Sequence, residues 1–374
     1  MKLDRNQQAF FALLRAGLWE QEVQLAPYGE IDFEALLQLA EEQSVVGLIA
    51  AGIEHIVDKK PQKKDVLQFI GRTVQLEQRN QAMNYFIGVI VEKMREAGVY
   101  TLLVKGQGVA QCYERPLWRS CGDVDLLLDA ENYEKAKAFL KPLATSVDEE
   151  DKQRKHLGIT IDPWLVELHG TLRSGYLPKM DAMLDEVQKA VHENGRVRVW
   201  KNDAVDVLLP AADEDVIFVF THILQHYFGG GIGLRQICDW CRLIWTYRHE
   251  LDMAQLEERL RQMDMLSKWK AFAALAVDWL GMPAEAMPLY SDGKSWSRKA
   301  SRILTLVLES GNFGQGRDRS YKEKYPAVIA YIISAWIYTR YNLLQFSIFP
   351  SDALKGWTST MKKGVKAVRG RVDS

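Results

Sequence analysis

Apolar residues recur every three or four positions through most of the first hundred residues, the spacing of helices with one buried face. Asp32 precedes FEALLQLAEEQ and is placed to cap it. Pro61 opens a longer helical run in which Val66, Phe69, Ile70, Val74 and Leu76 form the expected inner stripe, and Gly98 supplies the stop. The pattern then shortens to β-rich runs. Tyr100 to Val104 and Val124 to Leu128 read as strands. Leu157 to Ile161 and Leu165 to His169 read as a pair turned at Asp162-Pro163, and Val197 to Trp200 and Val205 to Leu209 as a pair turned at Asn202-Asp203. Helical stretches at Gly108 to Tyr113 and Asn132 to Leu140 interrupt them. After Pro210 the chain is helical again: Asp213 is the expected cap of VIFVFTHILQHYF, a run too apolar for a surface helix, and further helices follow over Arg235 to Tyr247, over Met253 to Met263 and beyond. The expected fold class is α+β, with an α/β core over 98–210 between helical regions 1–97 and 211–374.

Composition narrows the function classes. Lys and Arg total 48 against 49 Asp and Glu, which argues against a broad basic face for duplex nucleic acid and leaves a local patch as the alternative. Four cysteines in 374 residues are too few for a disulfide scaffold and fit a reducing, cytoplasmic setting. Ala9 to Leu14 is too short for a signal-peptide core. The apolar stretch between Lys324 and Arg340 is too short to span a bilayer and is expected to be a buried helix. The tail beyond Asp352 carries Lys355, Lys362, Lys363, Lys366, Arg369 and Arg371, expected to be a solvated face, with contact to an acidic membrane surface as the minor alternative.

Candidate chemistry centres on Gly122-Asp123-Val124-Asp125. On a strand Asp123 and Asp125 project to one side, about 7 Å apart, while Val124 and Leu126 face the other. Two such carboxylates repel, and a hard divalent cation with oxygen ligands is the usual counter-charge. An acidic-x-acidic triplet alone is weak, since roughly six arise by chance in a chain of this length and composition. In Val166-Glu167-Leu168-His169 the polar pair shares a face in the same way, and Glu167 can reach the Asp pair if its strand lies one or two places away. Lys105-Gly106 ends the preceding strand, where a glycine lets a phosphate approach the backbone.

The run LLVKGQGVAQCYERPLWRSCGDVDLLL, then VELH, then LLPAADEDVIFVFTHILQHYF with LRQICDWCRLI, resembles the uncharacterised nucleotidyltransferase family found in bacterial polysaccharide and natural-product operons. That family belongs to the superfamily with a DNA-polymerase-β-type palm. The resemblance covers roughly residues 30 to 250 and implies a small mixed-sheet palm. It implies Asp123, Asp125 and Glu167 as metal ligands and catalytic carboxylates, and Lys105, Gly106, Arg119 and Gly122 at the nucleotide. It further implies Mg2+, with Mn2+ as substitute, an NTP substrate with ATP first, and transfer of AMP to an unidentified hydroxyl of a small molecule, sugar or protein. Three departures stand out: Gln107 where the superfamily has Ser or Gly, a turn 17 residues before Asp123, and Glu rather than Asp as third carboxylate. The alternative reading is a degenerate, non-catalytic nucleotide-binding or scaffold protein of a biosynthetic operon.

His169, His222 and His226 are candidate cleft residues, with a core role as the alternative. His222 and His226 with Cys238-x-x-Cys241 mimic a zinc set, but both cysteines replace apolar helix positions and read as small buried hydrophobes. The glycines between 229 and 233 lack the Lys-Ser or Lys-Thr of a P-loop. Arg235 and Asp239 are expected to pair across one helical turn. Relief of like-charge repulsion predicts that Asp125→Asn leaves the metal-free protein as stable or more so.

Overall fold

The computed structural model describes residues 3–229, 231–312 and 324–352. Helices α1 (Arg5–Trp19), α2 (Phe33–Glu42) and α3 (Val46–Glu54) begin it. Asp32 caps α2 as expected, its Oδ1 accepting the Glu34 and Ala35 N–H groups at 3.0 Å each. Glycines let α1 and α3 touch backbone to backbone: a Cβ on Gly17 would sit 1.8 Å from the Leu48 carbonyl oxygen, and one on Gly52 would sit 2.1 Å from that of Leu13.

The long helix α4 (Lys63–Glu96) buries Phe69, Thr73, Asn80, Met83 and Ile87. Ile70 and Val74, expected inside, are exposed. The inner line instead accepts polar residues whose hydrogen bonds are satisfied. Thr73 Oγ1 donates to the Phe69 carbonyl, and Asn80 Nδ2 donates to the carbonyls of Leu117 and Arg119.

Five strands follow: β1 (Leu102–Val104), β2 (Asp123–Leu127), β3 (Ser146–Val147), β4 (His156–Ile161) and β5 (Trp164–His169), in spatial order β1-β2-β5-β4-β3. The β2–β5 pair is parallel and the other pairs antiparallel, so the sheet is mixed and the fold α+β. Helices α5 (Gly106–Ala110) and α6 (Ala130–Leu140) connect its strands; α5 starts at Gly106 itself, earlier than the pattern suggested. Beyond α7 (Pro178–Glu193), β6 (Val197–Asn202) and β7 (Val205–Pro210) form the second expected pair, a separate two-stranded sheet.

Strand alternation gives the five-stranded sheet two unlike faces. Leu103, Val124, Leu126, Val166 and Leu168 lie in a dry core with Met83 and Ile87 of α4, Tyr133 and Leu140 of α6, and Trp200 and Val207 of the second sheet. Asp123, Asp125, Glu167 and His169 alternate with them and border clefts lined by residues of α8 (Ala212–Gly229).

Helices α9 (Leu234–Tyr247), α10 (Met253–Gln262), α11 (Leu266–Leu280), α12 (Lys294–Ser310) and α13 (Ala327–Phe346) complete the described chain. They share one core with the amino-terminal helices, in which Phe10, Leu14 and Ile49 join Phe220, Trp240 and Trp269. Trp240 and Trp269 meet edge-on at 4.7 Å between ring centroids. Trp19 Nε1 donates to the Leu280 carbonyl at 2.6 Å, tying α1 to the end of α11. The helices on either side of the sheet segment therefore form one packed lobe.

Two expectations are corrected. Asp213 does not cap α8, which begins at Ala212. Its carboxylate accepts the Asp252 N–H at 2.9 Å and pairs with Arg196 at 2.8 Å. The apolar segment before Arg340 is not fully buried. In α13 Tyr341 Oη donates inward to the Tyr227 carbonyl, while Ile332, Trp336 and Leu343, spaced to share the opposite face, are 60%, 64% and 66% exposed. Among the described residues no helix is long and apolar enough to cross a membrane. The basic residues beyond Asp352 lie outside the described residues.

Gly52→Ala should cost about 1–3 kcal/mol by overpacking. Gly71→Ala, in α4 with nothing within 4 Å of an added Cβ, should gain about 0.5–1 kcal/mol. Chemical denaturation of the two variants checks both signs.

Candidate functional site

The site starts at the end of β1. Val104 pairs with Asp125 across the antiparallel β1–β2 ladder, and the chain then turns sharply. Lys105 takes φ 58°, rare for a residue with a side chain, and Gly106 follows at φ 45°. A Cβ at Gly106 would lie 3.3 Å from Cys121 Sγ, so both dihedral and space favour glycine. The turn delivers Lys105 Nζ to Asp125 Oδ1 at 2.8 Å.

The parallel β2–β5 register sets Asp125 directly against Glu167, with Asp123 two residues back on the same face. His169 Nε2 lies 2.7 Å from Asp125 Oδ1 and 3.6 Å from Glu167 Oε2. The structure thus brings the three carboxylates read from the sequence to one face, but with Lys105 and His169 set on the central one.

The charge states follow from these contacts. Burial works against the Lys105 ammonium, but Asp125, helped by Asp123 and Glu167, holds its pKa above the ordinary value. Burial likewise opposes charge on His169, and the hydrogen bonds to Asp125 and Glu167 outweigh it, so its pKa is raised. Burial pushes Asp125 up, while Lys105 and His169 pull it down further. Glu167 is held well below the carboxylate range by His156 first and His169 second. Asp123 moves the other way, raised first by the charge of Asp125 and then by its own burial. Asp123 and Asp125 line one cavity and Glu167 the neighbouring one, so among the described residues the three carboxylates that a hard divalent cation would take share a face without being gathered at one point.

Other candidates fall into three groups. Arg119 is buried and bonded to Asp239 of α9 through Nε at 3.0 Å and Nη2 at 2.7 Å. Tyr113 Oη also donates to Asp239. Asp239 therefore does not take Arg235 as its expected partner across the turn; Arg119, arriving from the loop before β2, supplies the better bidentate geometry. His222 faces Lys105 Nζ at 3.4 Å and His226 at 3.0 Å. Burial drives the pKa of His222 well below the ordinary value and that of His226 to about 4, so both are neutral near pH 7. Gln107 points away, donating to Asn80 Oδ1 at 2.8 Å, and Gly122 is exposed, with open space where a Cβ would stand. Cys238 and Cys241 are fully buried free thiols, pushed up by burial, and do not gather with the histidines.

Two residues at the site had not been picked out from the sequence. Arg235 lines a cavity of about 50 Å³ with Lys105, Gly106, Arg119, Asp123 and Asp125. Its Nη1 donates to the Ser120 carbonyl at 3.0 Å, while Arg235 Nε and Arg119 Nη1 are buried with no hydrogen-bond partner among the described residues. His156 stands opposite His169 on β4, 3.2 Å from Glu167 Oε2. A two-residue connection at Asp162-Pro163 already implies that pairing, because it sets 161 against 164 and, counting outward, 156 against 169.

The Asp125→Asn expectation is reversed by this geometry. Removing the charge of Asp125 leaves Lys105 and His169 without their main partner inside the protein, which should cost on the order of 3 kcal/mol. Asp123→Asn, which relieves repulsion, should be neutral or stabilising. Denaturation midpoints of the two variants in a chelating buffer test this, and equal losses for both would refute it.

Comparison with known proteins returned no match among curated proteins and none among solved structures. A family description does match, that of an uncharacterised nucleotidyltransferase, over residues 29–281. The match spans about two thirds of the chain, from before α2 to the end of α11, and includes every residue of the site described above. The chain belongs to this uncharacterised nucleotidyltransferase family.

Proposed function

We propose that the protein transfers a nucleotidyl group, AMP from ATP in the first instance, to a hydroxyl acceptor, on a palm of the DNA-polymerase-β type. The observation that carries this reading is the β2–β5 register, which sets Asp125 opposite Glu167 with Asp123 on the same face. Asp123, Asp125 and Glu167 would hold Mg2+, or Mn2+ in its place, which when bound supplies charge neutralisation at the phosphates. The remaining work falls to the chain's own groups. Lys105, at the strained turn, offers an ammonium able to exchange Asp125 for a phosphate oxygen. Arg235 Nε and Arg119 Nη1 give the adjoining cavity two buried N–H donors suited to an anion. Glu167 would orient the acceptor hydroxyl. Catalysis of this kind is mainly positioning and electrostatics, and both are built into the sheet.

Incubation with each α-labelled NTP, Mg2+ or Mn2+ and a bacterial lysate should give a labelled acceptor. Asp123→Asn and Glu167→Gln should each lower the yield by about 10²-fold or more. Arg235→Ala should weaken NTP binding by about tenfold, read from the NTP-induced rise in melting temperature. A melting temperature unmoved by every NTP with either metal would dismiss the transfer reading. A rise without labelled product would favour the non-catalytic nucleotide-binding or scaffold role.

A further inference from the structure

We propose that His156, Glu167 and His169 form a binding site for a nitrogen-preferring divalent transition metal such as Zn2+, at the β4–β5 hairpin. Their ligand atoms lie within 4.8 Å of one another, and they form the one group of this kind among the described residues. Both separations from Glu167 match a coordination sphere. Zn–N and Zn–O bonds of about 2.0–2.2 Å in tetrahedral geometry put ligand atoms about 3.3–3.6 Å apart. His156 Nε2 and His169 Nε2 stand 3.2 Å and 3.6 Å from Glu167 Oε2. The two imidazoles approach each other at 4.8 Å between ring centroids.

The backbone holds this arrangement without a loop. The antiparallel register sets His156 against His169 and Gly158 against Glu167, so three side chains share one face, and at the fourth position the Asp148 carboxylate enters the space a Cβ on Gly158 would fill, 2.2 Å from it. Beside them opens a cavity of about 300 Å³ that leaves room for water or substrate on an open coordination position. That cavity is rich in nitrogen. Of the chain's seven histidines, His156, His169, His222 and His226 line it, where a magnesium site would need only oxygens. An ion on His169 Nε2 would take the place of its contact with Asp125, which keeps Lys105 as partner. Glu167 is shared with the carboxylate set of the proposed transfer reaction, and to that extent the site bears on the same reading. Its measurement uses no nucleotide, so the two proposals fail separately.

The test is a titration of the full, chelator-treated chain with Co2+ and Zn2+, followed by visible absorption and by competition with a chromophoric indicator. The expected result is one ion per chain, with Co2+ bands showing nitrogen ligation and no displacement by millimolar Mg2+. His156→Ala should weaken binding at least tenfold while leaving the circular dichroism unchanged, because the imidazole is 39% exposed at a strand end. His156→Asp, which restores a ligand, should recover much of the affinity, and Asp123→Asn should change it less than threefold. Undiminished binding by His156→Ala, or ready displacement by equimolar Mg2+, would overturn the site.

Discussion

The buried carboxylate of Asp125 constrains everything around it. It sits on β2, between β1 and β5, and a charge there must be matched within a few ångströms or it becomes a large cost. The chain matches it twice, with Lys105 at 2.8 Å and His169 at 2.7 Å. Each partner needs its own support. Lys105 reaches Asp125 only because the backbone accepts a positive φ ahead of Gly106, and His169 only because β5 runs parallel to β2 in the register that stacks Asp125 on Glu167. A one-residue slip of that register would turn Glu167 and His169 into the apolar core and expose Val166 and Leu168. The apolar face therefore fixes the polar one: packing against α4 and α6 holds the register, and the register holds the charges.

The helical lobe closes the polar face. Helix α8 carries acidic residues in its first turn and a long apolar body, and it contributes Phe218, His222 and Gln225 to the clefts beside the sheet. It can do so because Phe220, on its other side, is clamped by Trp240 and Trp269. Helix α9 adds Arg235 and Asp239 from the same turn. Asp239 is committed to Arg119 and Tyr113, a buried network that joins the loop before β2 to the lobe. All of these contacts lie within the family match.

Much of this was legible in the sequence because strand alternation is a strict rule. Asp123 and Asp125 opposite Val124 and Leu126, and Glu167 and His169 opposite Val166 and Leu168, define a polar and an apolar face without any knowledge of neighbours. The helix faces were less legible. Val74 of α4 is apolar but exposed, whereas Asn80 is polar but buried, because its partners come from residues 117 and 119, which no local pattern announces. The partner of Asp239 was missed for the same reason: an i, i+4 pairing is local, and the bidentate contact from Arg119 is not. His156 differs, since its place opposite His169 follows from counting back from the two-residue turn.

The cations of the cleft divide by what already holds them. Arg119 is committed through two nitrogens to a carboxylate it shares with Tyr113, which leaves only its Nη1 for a ligand. Arg235 has one carbonyl contact and an unpaired Nε, and burial together with the charge of Arg119 lowers its pKa, which means the protein holds its charge at a cost that an anion would relieve. Lys105 lies between these cases, paired with one carboxylate at a turn and touching His222 at 3.4 Å. His222 and His226, neutral beside it, add polarity without adding positive charge. The Arg235 side of Asp123 thus holds the least committed cation, and the Glu167 side is rich in imidazole and bordered by Arg154 and Arg173, which pair with Asp151 and Asp185. Helix α9 sets the cations at one end and the β4–β5 hairpin sets the imidazoles at the other, so the two ends differ in the charge they present.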